Sequence, residues 1–148
     1  MKIVLASDHG ALALRTGLIR FLDQFYSTYQ LIDLGTVSAD SVDYPDFADQ
    51  LVQTINHQEA DCGILCCGTG IGMSIRANRY PGIRAALVYD EFTAKMAKEH
   101  NNANVLCLGG RTLELTDAQH LVKVWLDATF EGGRHQSRIQ QLDDPLCS

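Results

Sequence analysis

Two adjacent cysteines stand at the end of an apolar run and lead directly into a loop that contains three glycines. The segment ILCCGTGIGMS, residues 64–74, holds both thiols, Cys66 and Cys67. A glycine-rich loop after a strand brings backbone N–H groups close to an anion, and a cysteine beside such a loop can serve as a base, a nucleophile, a metal ligand or a packing group. The spacing of the surrounding residues separates these roles.

The glycine loop differs from the two common nucleotide-binding motifs. A P-loop requires Lys and then Ser or Thr after its second glycine, whereas Met73 follows Gly72 here. The dinucleotide fingerprint requires another glycine after the first two, and Met73 stands at that place after Gly68 and Gly70. Asp90 does lie far enough along the chain for a ribose contact. The match to a dinucleotide site is therefore partial.

The same spacing argues against a phosphatase and a zinc site. A cysteine phosphatase closes its loop on an arginine, but Met73 and Gly72 stand at the corresponding places after Cys67 and Cys66. Zinc sites combine a C-x2-C pair with a second pair or with histidines, and Cys62, Cys66 and Cys67 do not offer that spacing. We therefore expect no bound metal.

The remaining interpretation of Cys67 is a base that acts beside a carbonyl group. Free N–H groups after the end of a strand stabilise a thiolate and a developing oxyanion, which suits proton abstraction next to a carbonyl. Successive residues of a strand point to opposite faces, so Cys66 is expected to pack as a small apolar side chain. The same is expected of Cys62 and Cys107. Cys67 is the predicted base.

Length, charge and cysteine content bound the class of protein. The chain of 148 residues is long enough for one domain, residues 1–148, with its own core. The five cysteines are odd in number, and the opening MKIVLASDHG is typical of a strand, so a cytoplasmic location is expected. The net charge is −6 and no apolar run approaches a membrane span. We therefore expect neither a nucleic-acid partner nor a membrane partner.

Short apolar runs alternate with longer segments of helical period. Strands are predicted at KIVLA, YQLIDLG, CGILCC, IRAALVY and ANVLCLGG. Helices are predicted after SDHG, over residues 45–57, in the glycine loop, over residues 90–100 and 115–130, and in GGRHQSRIQQL. The apolar face of the first helix would consist of Ala11, Leu14, Leu18, Phe21, Leu22 and Phe25. That of the 115–130 helix would consist of Ala118, Leu121, Val122, Trp125 and Thr129.

This alternation predicts an α/β fold with three α/β/α layers around a doubly wound, five-stranded parallel sheet. We expect the Rossmann-like or flavodoxin-like strand order 2-1-3-4-5. Ligands in such sheets bind beyond the carboxyl ends of the strands at the switch point, where SDHG and CGTGIG would meet. Asp8 could cap a helix and His9 could be a solvated loop residue, but the nearby glycine loop favours ligand binding for both.

Six segments of the chain together resemble one family. They are SDHG, DYPDFA, CGTGIGMSIRANR, GIRAALVYD, EHNNANVLCLGGR and FEGGRHQSRI. In their order and spacing they resemble the type B ribose-5-phosphate isomerases, in the wider family that includes galactose-6-phosphate isomerase subunits, from about residue 2 to about residue 141. The resemblance implies that an aldose phosphate and its ketose interconvert through a cis-enediolate without metal or other cofactor. It also implies a homodimer, or a dimer of dimers, whose active sites draw on two subunits.

The resemblance also implies roles around the predicted base. Cys67 would move the proton between C2 and C1, and Thr69 and His100 match the family residues thought to open the sugar ring. The groups that would stabilise the enediolate are Gly68, Gly70, Gly72 and Asn101. From spacing alone, His100 continues a helical stripe with Phe92 and Met96, which is also typical of a core histidine.

Further matches concern the binding of the substrate. Asp8 and Tyr44 match positions that contact sugar hydroxyls. The residues that match phosphate binders are His9, Arg111, Arg134 and Arg138. Arg134 and Arg138 are four residues apart and would share one face of the last helix, which would reach the partner subunit. The family often has Lys where this chain has Arg15.

Two alternatives stay open at this point. The substrate could be galactose 6-phosphate or allose 6-phosphate, because the loop around residues 38–44 does not distinguish a pentose from a hexose. The domain could instead be a nucleotide-binding regulatory module with the glycine loop on a pyrophosphate and Asp90 on a ribose. That second alternative would leave Cys67, His100 and the arginine pair without a function.

Overall fold

The computed structural model describes residues 1–144, which form one parallel sheet with helices on both of its faces. The strands are β1 (Lys2–Ser7), β2 (Gln30–Asp33), β3 (Cys62–Cys67), β4 (Ala85–Leu87) and β5 (Val105–Gly109). The helices are α1 (Leu12–Phe25), α2 (Tyr44–Asn56), α3 (Ile71–Ala77), α4 (Glu91–Glu99), α5 (Leu115–Asp127) and α6 (Arg134–Asp143). A short 3-10 turn, His9–Ala11, joins β1 to α1. The predicted three-layer, doubly wound α/β class is confirmed.

The predicted strand order is wrong at one place, because the observed order is 2-1-3-5-4. Strand β5 lies between β3 and β4 and is buried along its whole length, VLCLG. Strand β4 has only three residues, all half-buried, which suits an edge position. A fully buried strand needs neighbours on both sides to pair its backbone groups, so β5 takes the inner place. Strands β1 and β3 remain neighbours, as predicted.

Two separate cores lie on the two faces of the sheet. One core is formed against α1, α4 and α5, and the other against α2 and α3. Cys66 belongs to the first core and Cys67 to the second, so the prediction that the two thiols point to opposite faces is confirmed. Helix α3 is joined to α2 by a bidentate pair in which Arg76 donates to both carboxylate oxygens of Asp49 at 2.6 Å.

The ends of some helices differ from the prediction. Helix α5 ends at Asp127, where the chain becomes extended at Ala128, so Thr129 lies beyond the helix. Phe25 and Phe92 are 64% and 70% exposed and are not core residues. Cys147 lies outside the described residues. Within residues 1–144, no helix combines the length and the apolar composition that a membrane crossing requires.

Candidate functional site

The carboxyl ends of β1, β3 and β5 bring three loops together. Ser7 pairs with Cys66, and Cys67 pairs with Gly109, so the residues that follow these positions leave the sheet side by side. The N–H of Gly110 donates to the carbonyl oxygen of Cys67 at 2.8 Å, and the N–H of Arg111 donates to that of Gly68 at 2.9 Å. The predicted meeting of SDHG with the glycine loop is therefore present, and β5 adds a third segment.

The glycine loop wraps closely around the thiol of Cys67. The N–H of Gly70 donates to Cys67 Sγ at 3.2 Å. Gly70 has a φ of 77°, and a Cβ there would lie 2.6 Å from Cδ1 of Leu87 and 3.0 Å from the carbonyl carbon of Leu108. Only glycine fits both this backbone conformation and this close approach. The loop thereby places a donor on the sulfur in a buried position.

The other described cysteines are held as neutral thiols. Burial raises the pKa of Cys66 to about 12 and that of Cys62 to about 11. Burial also raises the pKa of Cys107 well above its ordinary value. At neutral pH these three side chains pack as small apolar groups, which agrees with their expected role.

A cation and a carboxylate lie next to the glycine loop. A Cβ on Gly68 would lie 3.3 Å from Nε of Arg111, and a Cβ on Gly10 would lie 3.3 Å from Oδ1 of Asp8 and 3.7 Å from Nη2 of Arg111. The carboxylate of Asp8 accepts a hydrogen bond from the N–H of Gly10 at 2.9 Å. Asp8 is therefore both the cap of the 3-10 turn and a lining group of the cleft.

His9 and Tyr44 lie on the side of the cleft formed by the loop after β2. His9 Nδ1 accepts a hydrogen bond from the N–H of Val42 at 3.2 Å, so a neutral ring carries its proton on Nε2 and can donate it to a ligand. The ring of Tyr44, the first residue of α2, lies against Gly72, where a Cβ would be 2.5 Å from Cζ of Tyr44. Gly72 therefore makes room for the tyrosine.

Thr69 and Asp90 are placed differently with respect to this cleft. Thr69 is exposed in the glycine loop, and its hydroxyl oxygen accepts a hydrogen bond from the N–H of Ile71 at 3.3 Å. Its own proton remains available to a ligand. Asp90 caps α4, with its carboxylate bound to the N–H of Thr93 at 2.7 Å and to the hydroxyl of Thr93 at 2.8 Å. The aspartate needed by a ribose site is thus engaged in a helix cap.

The other four predicted site residues lie at the opposite edge of the sheet, and they are His100, Asn101, Arg134 and Arg138. Helix α4 runs against the direction of the strands and ends beside His100. The carbonyl oxygen of Asn104, just before β5, accepts from the N–H of Gly63, near the start of β3, at 2.9 Å. The four residue steps from Gly63 to Cys67 span about 13 Å at roughly 3.3 Å each. One chain alone therefore does not unite the predicted site.

The group of residues around His100 at the amino ends of the strands contains two members that the sequence interpretation missed, Glu131 and His135. The rings of His100 and His135 stack with centroids 4.1 Å apart. Glu131 Oε2 lies 3.8 Å from His100 Nε2 and 3.5 Å from His135 Nε2. Burial, and then the neighbouring His100 and Arg134, lower the pKa of His135. Both residues belong to the segment EGGRH, residues 131–135. A glutamate and a histidine so close to Arg134 were the signal in the sequence that could have indicated a polar cluster.

The face of α3 connects the two clusters. Helix α3 starts directly after Gly70, in the glycine loop, and ends next to Asn78. The side-chain amide of Asn78 donates to the carbonyl oxygen of Ala85 and accepts from its N–H, both at 2.8 Å, at the start of β4. Between these ends Ile71 and Ile75 are 50% and 55% exposed. An uncovered apolar strip thus runs from one half of the predicted site toward the other.

Arg15 is a third residue that sequence interpretation did not place in the site. It is buried and donates to the hydroxyl of Ser7 and to the carbonyl oxygen of Thr36, both at 2.8 Å. Its Nε lies 3.0 Å from Oδ1 of Asp33 at an angle unsuited to a hydrogen bond, so that contact is chiefly electrostatic. A Cβ on Gly35 would overlap the guanidinium. Arg15 therefore fixes the start of the loop that carries Val42 and leads to α2.

Comparisons with known proteins agree over almost the whole chain. A family model described as Ribose/Galactose Isomerase matches residues 3–142. Ribose-5-phosphate isomerase B of Escherichia coli is 39% identical over 141 residues, which are 95% of this chain and 93% of that protein. Ribose-5-phosphate isomerase B of Clostridium thermocellum has a solved structure with a TM-score of 0.93 and 45% identity, covering 97% of this chain and 95% of the other. The solved structure of the Thermotoga maritima ribose 5-phosphate isomerase has a TM-score of 0.92 and 48% identity, covering 96% of this chain and 97% of the other.

Replacement of Arg15 by Lys tests whether the buried guanidinium holds the loop after β2. An ammonium group keeps the charge but does not reach the three acceptors together, so we expect the free energy of unfolding to fall by about 1–3 kcal/mol in urea denaturation. Amide hydrogen exchange over residues 34–42 should accelerate. Arg20→Lys, on the exposed side of the same helix, should change stability by less than about 0.5 kcal/mol. Equal stability and exchange in both variants would contradict this role of Arg15.

Proposed function

We propose that this chain, which belongs to the ribose/galactose isomerase family and is an isomerase, interconverts ribose 5-phosphate and ribulose 5-phosphate. The observation that carries the proposal is the position of Cys67, whose sulfur accepts the N–H of Gly70 at the switch point of the sheet. The pentose is supported by relatives of 39% to 48% identity that are named for ribose 5-phosphate. The cytoplasmic location stays a prediction.

Cys67 acts as the base in the proposed reaction. Its thiolate removes the proton from C2 of the open-chain aldose, and the electron pair of that C–H bond forms a double bond between C1 and C2 while O1 becomes negative. The sulfur then returns the proton to C1, and transfer of the O2 proton to O1 leaves the carbonyl at C2. The loop N–H groups of Gly68, Gly70 and Gly72 would stabilise the enediolate, and that of Gly70 already donates to the sulfur.

A second copy of the chain completes the proposed site. The Cys67 half and the His100 half lie at opposite ends of α3, and the strip of Ile71 and Ile75 between them is exposed. A twofold axis across the middle of α3 would bury this strip against its own copy and exchange the two ends. Cys67 would then face His100 of the partner subunit. The homodimer thus follows from the separation of the two halves and the apolar surface that joins them.

The remaining groups would bind and open the sugar. Thr69 with a free hydroxyl proton and the partner subunit's His100 would transfer the protons that open the ring. Asp8 and Tyr44 would contact hydroxyl groups, and the partner subunit's Asn101 would help to hold the enediolate. The groups proposed to bind the phosphate are His9, Arg111, and the partner subunit's Arg134 and Arg138. The proposed site contains no metal, because backbone donors carry the oxyanion.

A panel of phosphorylated sugars tests the proposed substrate. We expect kcat/KM for ribose 5-phosphate to exceed that for galactose 6-phosphate and allose 6-phosphate by roughly tenfold or more, because an additional carbon must fit a closed pocket. Isomerisation would be followed by the appearance of the ketose. A larger kcat/KM for either hexose phosphate would move the assignment to that sugar. Absence of turnover with all three would contradict the proposed function.

Substitution of each of the two adjacent cysteines tests the identity of the base. Cys67→Ala should lower kcat by about 10²–10⁴ while substrate still protects the protein against thermal unfolding. Its C2 hydrogen exchange with solvent deuterium should fall in parallel. Cys66→Ala should keep turnover and lose on the order of 1 kcal/mol of stability, because it truncates only a buried neutral thiol. A dead Cys66→Ala or a fully active Cys67→Ala would reverse the assignment.

Mixing two inactive variants tests the shared site. In a heterodimer of Cys67→Ala and His100→Asn, one of the two sites carries both substitutions and the other carries neither. Refolding the variants together at equal concentration should therefore restore about a quarter of wild-type activity, since about half of the dimers are mixed. Each variant refolded alone is the control. No recovery in a sample whose mixed dimers are detected by native mass spectrometry would show that each site lies within one subunit.

A further inference from the structure

Three side chains at the amino edge of the sheet place nitrogen and oxygen ligands close together. We propose that His100, Glu131 and His135 form a binding site for a divalent transition metal, with Zn²⁺ as the preferred ion. One ring nitrogen of each histidine and a carboxylate oxygen of the glutamate lie within 4.8 Å of one another, and Nε2 is the nitrogen of each histidine that faces Glu131. Within one chain these residues lie at the opposite edge of the sheet from Cys67, and in the proposed dimer they would lie near Cys67 of the partner subunit.

The distances between these atoms suit a shared ion better than direct contact. Glu131 Oε2 is 3.8 Å from His100 Nε2 and 3.5 Å from His135 Nε2, which is too long for a hydrogen bond in either case. Two ligands bound to Zn²⁺ at 2.0–2.1 Å in tetrahedral geometry lie about 3.3 Å apart. Moving the Glu131 oxygen by a few tenths of an ångström would bring it to that separation from each histidine nitrogen. The two histidine nitrogens, which lie within 4.8 Å of each other, must also draw together.

The fold brings the three ligands together before any ion binds. The ring of His135 is buried and stacks on that of His100 with an interplanar angle of 13°. Parallel rings direct their nitrogen lone pairs side by side, so the ring of His100, which is 34% exposed, must turn out of the stack to share an ion. The backbone N–H of Glu131 donates to the carbonyl oxygen of Glu99 at 3.0 Å, which ties the ligand to the end of α4. The side chain of Glu131 is half exposed, so it can make the small adjustment and leave a fourth position open to solvent. Two nitrogens and one carboxylate are a ligand set that Zn²⁺ accepts.

Arg134 limits the affinity of this site. Its Nε lies 3.4 Å from Nε2 of His135 and donates to it. The arginine side chain is exposed, so it can turn into solvent when a metal takes that nitrogen. Its positive charge nevertheless repels the ion and lowers the affinity for metal. A phosphate bound to the same arginine would reduce this repulsion.

Bound metal should inhibit the isomerase, and this consequence rests on the proposed function. Coordination of His100 Nε2 engages a ring nitrogen of the residue proposed to open the sugar ring. The binding of metal itself does not depend on that assignment. A direct measurement of binding therefore distinguishes failure of the metal site from failure of the proposed role of His100.

The test compares Co²⁺ and Zn²⁺ binding in untagged wild type and variants. Wild type should give the visible absorption of Co²⁺ in a site of low coordination number, with one ion per chain, and Zn²⁺ should displace it. Glu131→Gln and His135→Asn should each weaken binding by about tenfold or more, because each loses a ligand. His120→Asn is the matched control, since His120 also faces a carboxylate, Glu91, at 2.8 Å. Cys67→Ala is the control for a thiolate site, and both controls should bind like wild type.

Activity and stability complete the test. Zn²⁺ should inhibit wild type, EDTA should restore full activity, and Glu131→Gln should need about tenfold more Zn²⁺ for the same inhibition. Thermal unfolding of each variant without metal would show that the variant is folded. Glu131→Gln alters a half-exposed side chain and should remain folded. Unchanged Co²⁺ binding in Glu131→Gln and His135→Asn would overturn the proposal. So would loss of Co²⁺ binding in Cys67→Ala alone.

Discussion

The close approach of Gly70 to strand β5 is the constraint on which the rest of the site depends. With a φ of 77° and no room for a Cβ against the backbone of Leu108, this residue turns the chain sharply as it leaves β3. The turn aims an N–H group at the sulfur of Cys67 and sets the starting point of α3. A side chain at this position would push the loop off the sheet and remove the donor from the thiol. The placement of β5 next to β3, which the predicted strand order did not contain, is therefore a requirement of the cleft as well as of the sheet.

Features that arise from one strand or one helix could be predicted from the sequence. The opposite directions of Cys66 and Cys67 follow from the period of a single strand, and the switch point follows from the adjacency of β1 and β3. The order of β4 and β5 was out of reach of such local patterns, because both strands compete for the place beside β3 and the outcome depends on which one is buried on both sides. Arg15 was overlooked although it continues the apolar stripe of α1, where a charged residue requires partners from other segments.

The separation of the predicted site into two halves has a simple cause. Helices that cross over between parallel strands run against them, so a residue at the end of α4 lies at the amino edge, whereas a residue at the end of β3 lies at the carboxyl edge. The order of the motifs along the sequence does not indicate the distance between the two edges of the sheet. The two halves differ in character as well: the Cys67 half combines the backbone groups of the glycine loop with the side chains of Asp8 and Arg111, whereas the His100 half is built from side chains at the ends of α4 and α6. Both halves contribute to the proposed phosphate site, because Arg111 lies beside the glycine loop and Arg134 and Arg138 lie in α6.

The pairing of Asn78 with Ala85 has a consequence for how copies of the chain can meet. Strand β4 ends the sheet, and the last strand of a sheet offers unpaired N–H and C=O groups that recruit strands from other molecules. The side-chain amide of Asn78 takes up both polar groups of Ala85, in the manner of one residue of a neighbouring strand. Because β4 has only three residues, this single amide occupies much of its outer hydrogen-bonding capacity. The amide of Asn78 therefore competes with any strand that would extend the sheet at the β4 edge.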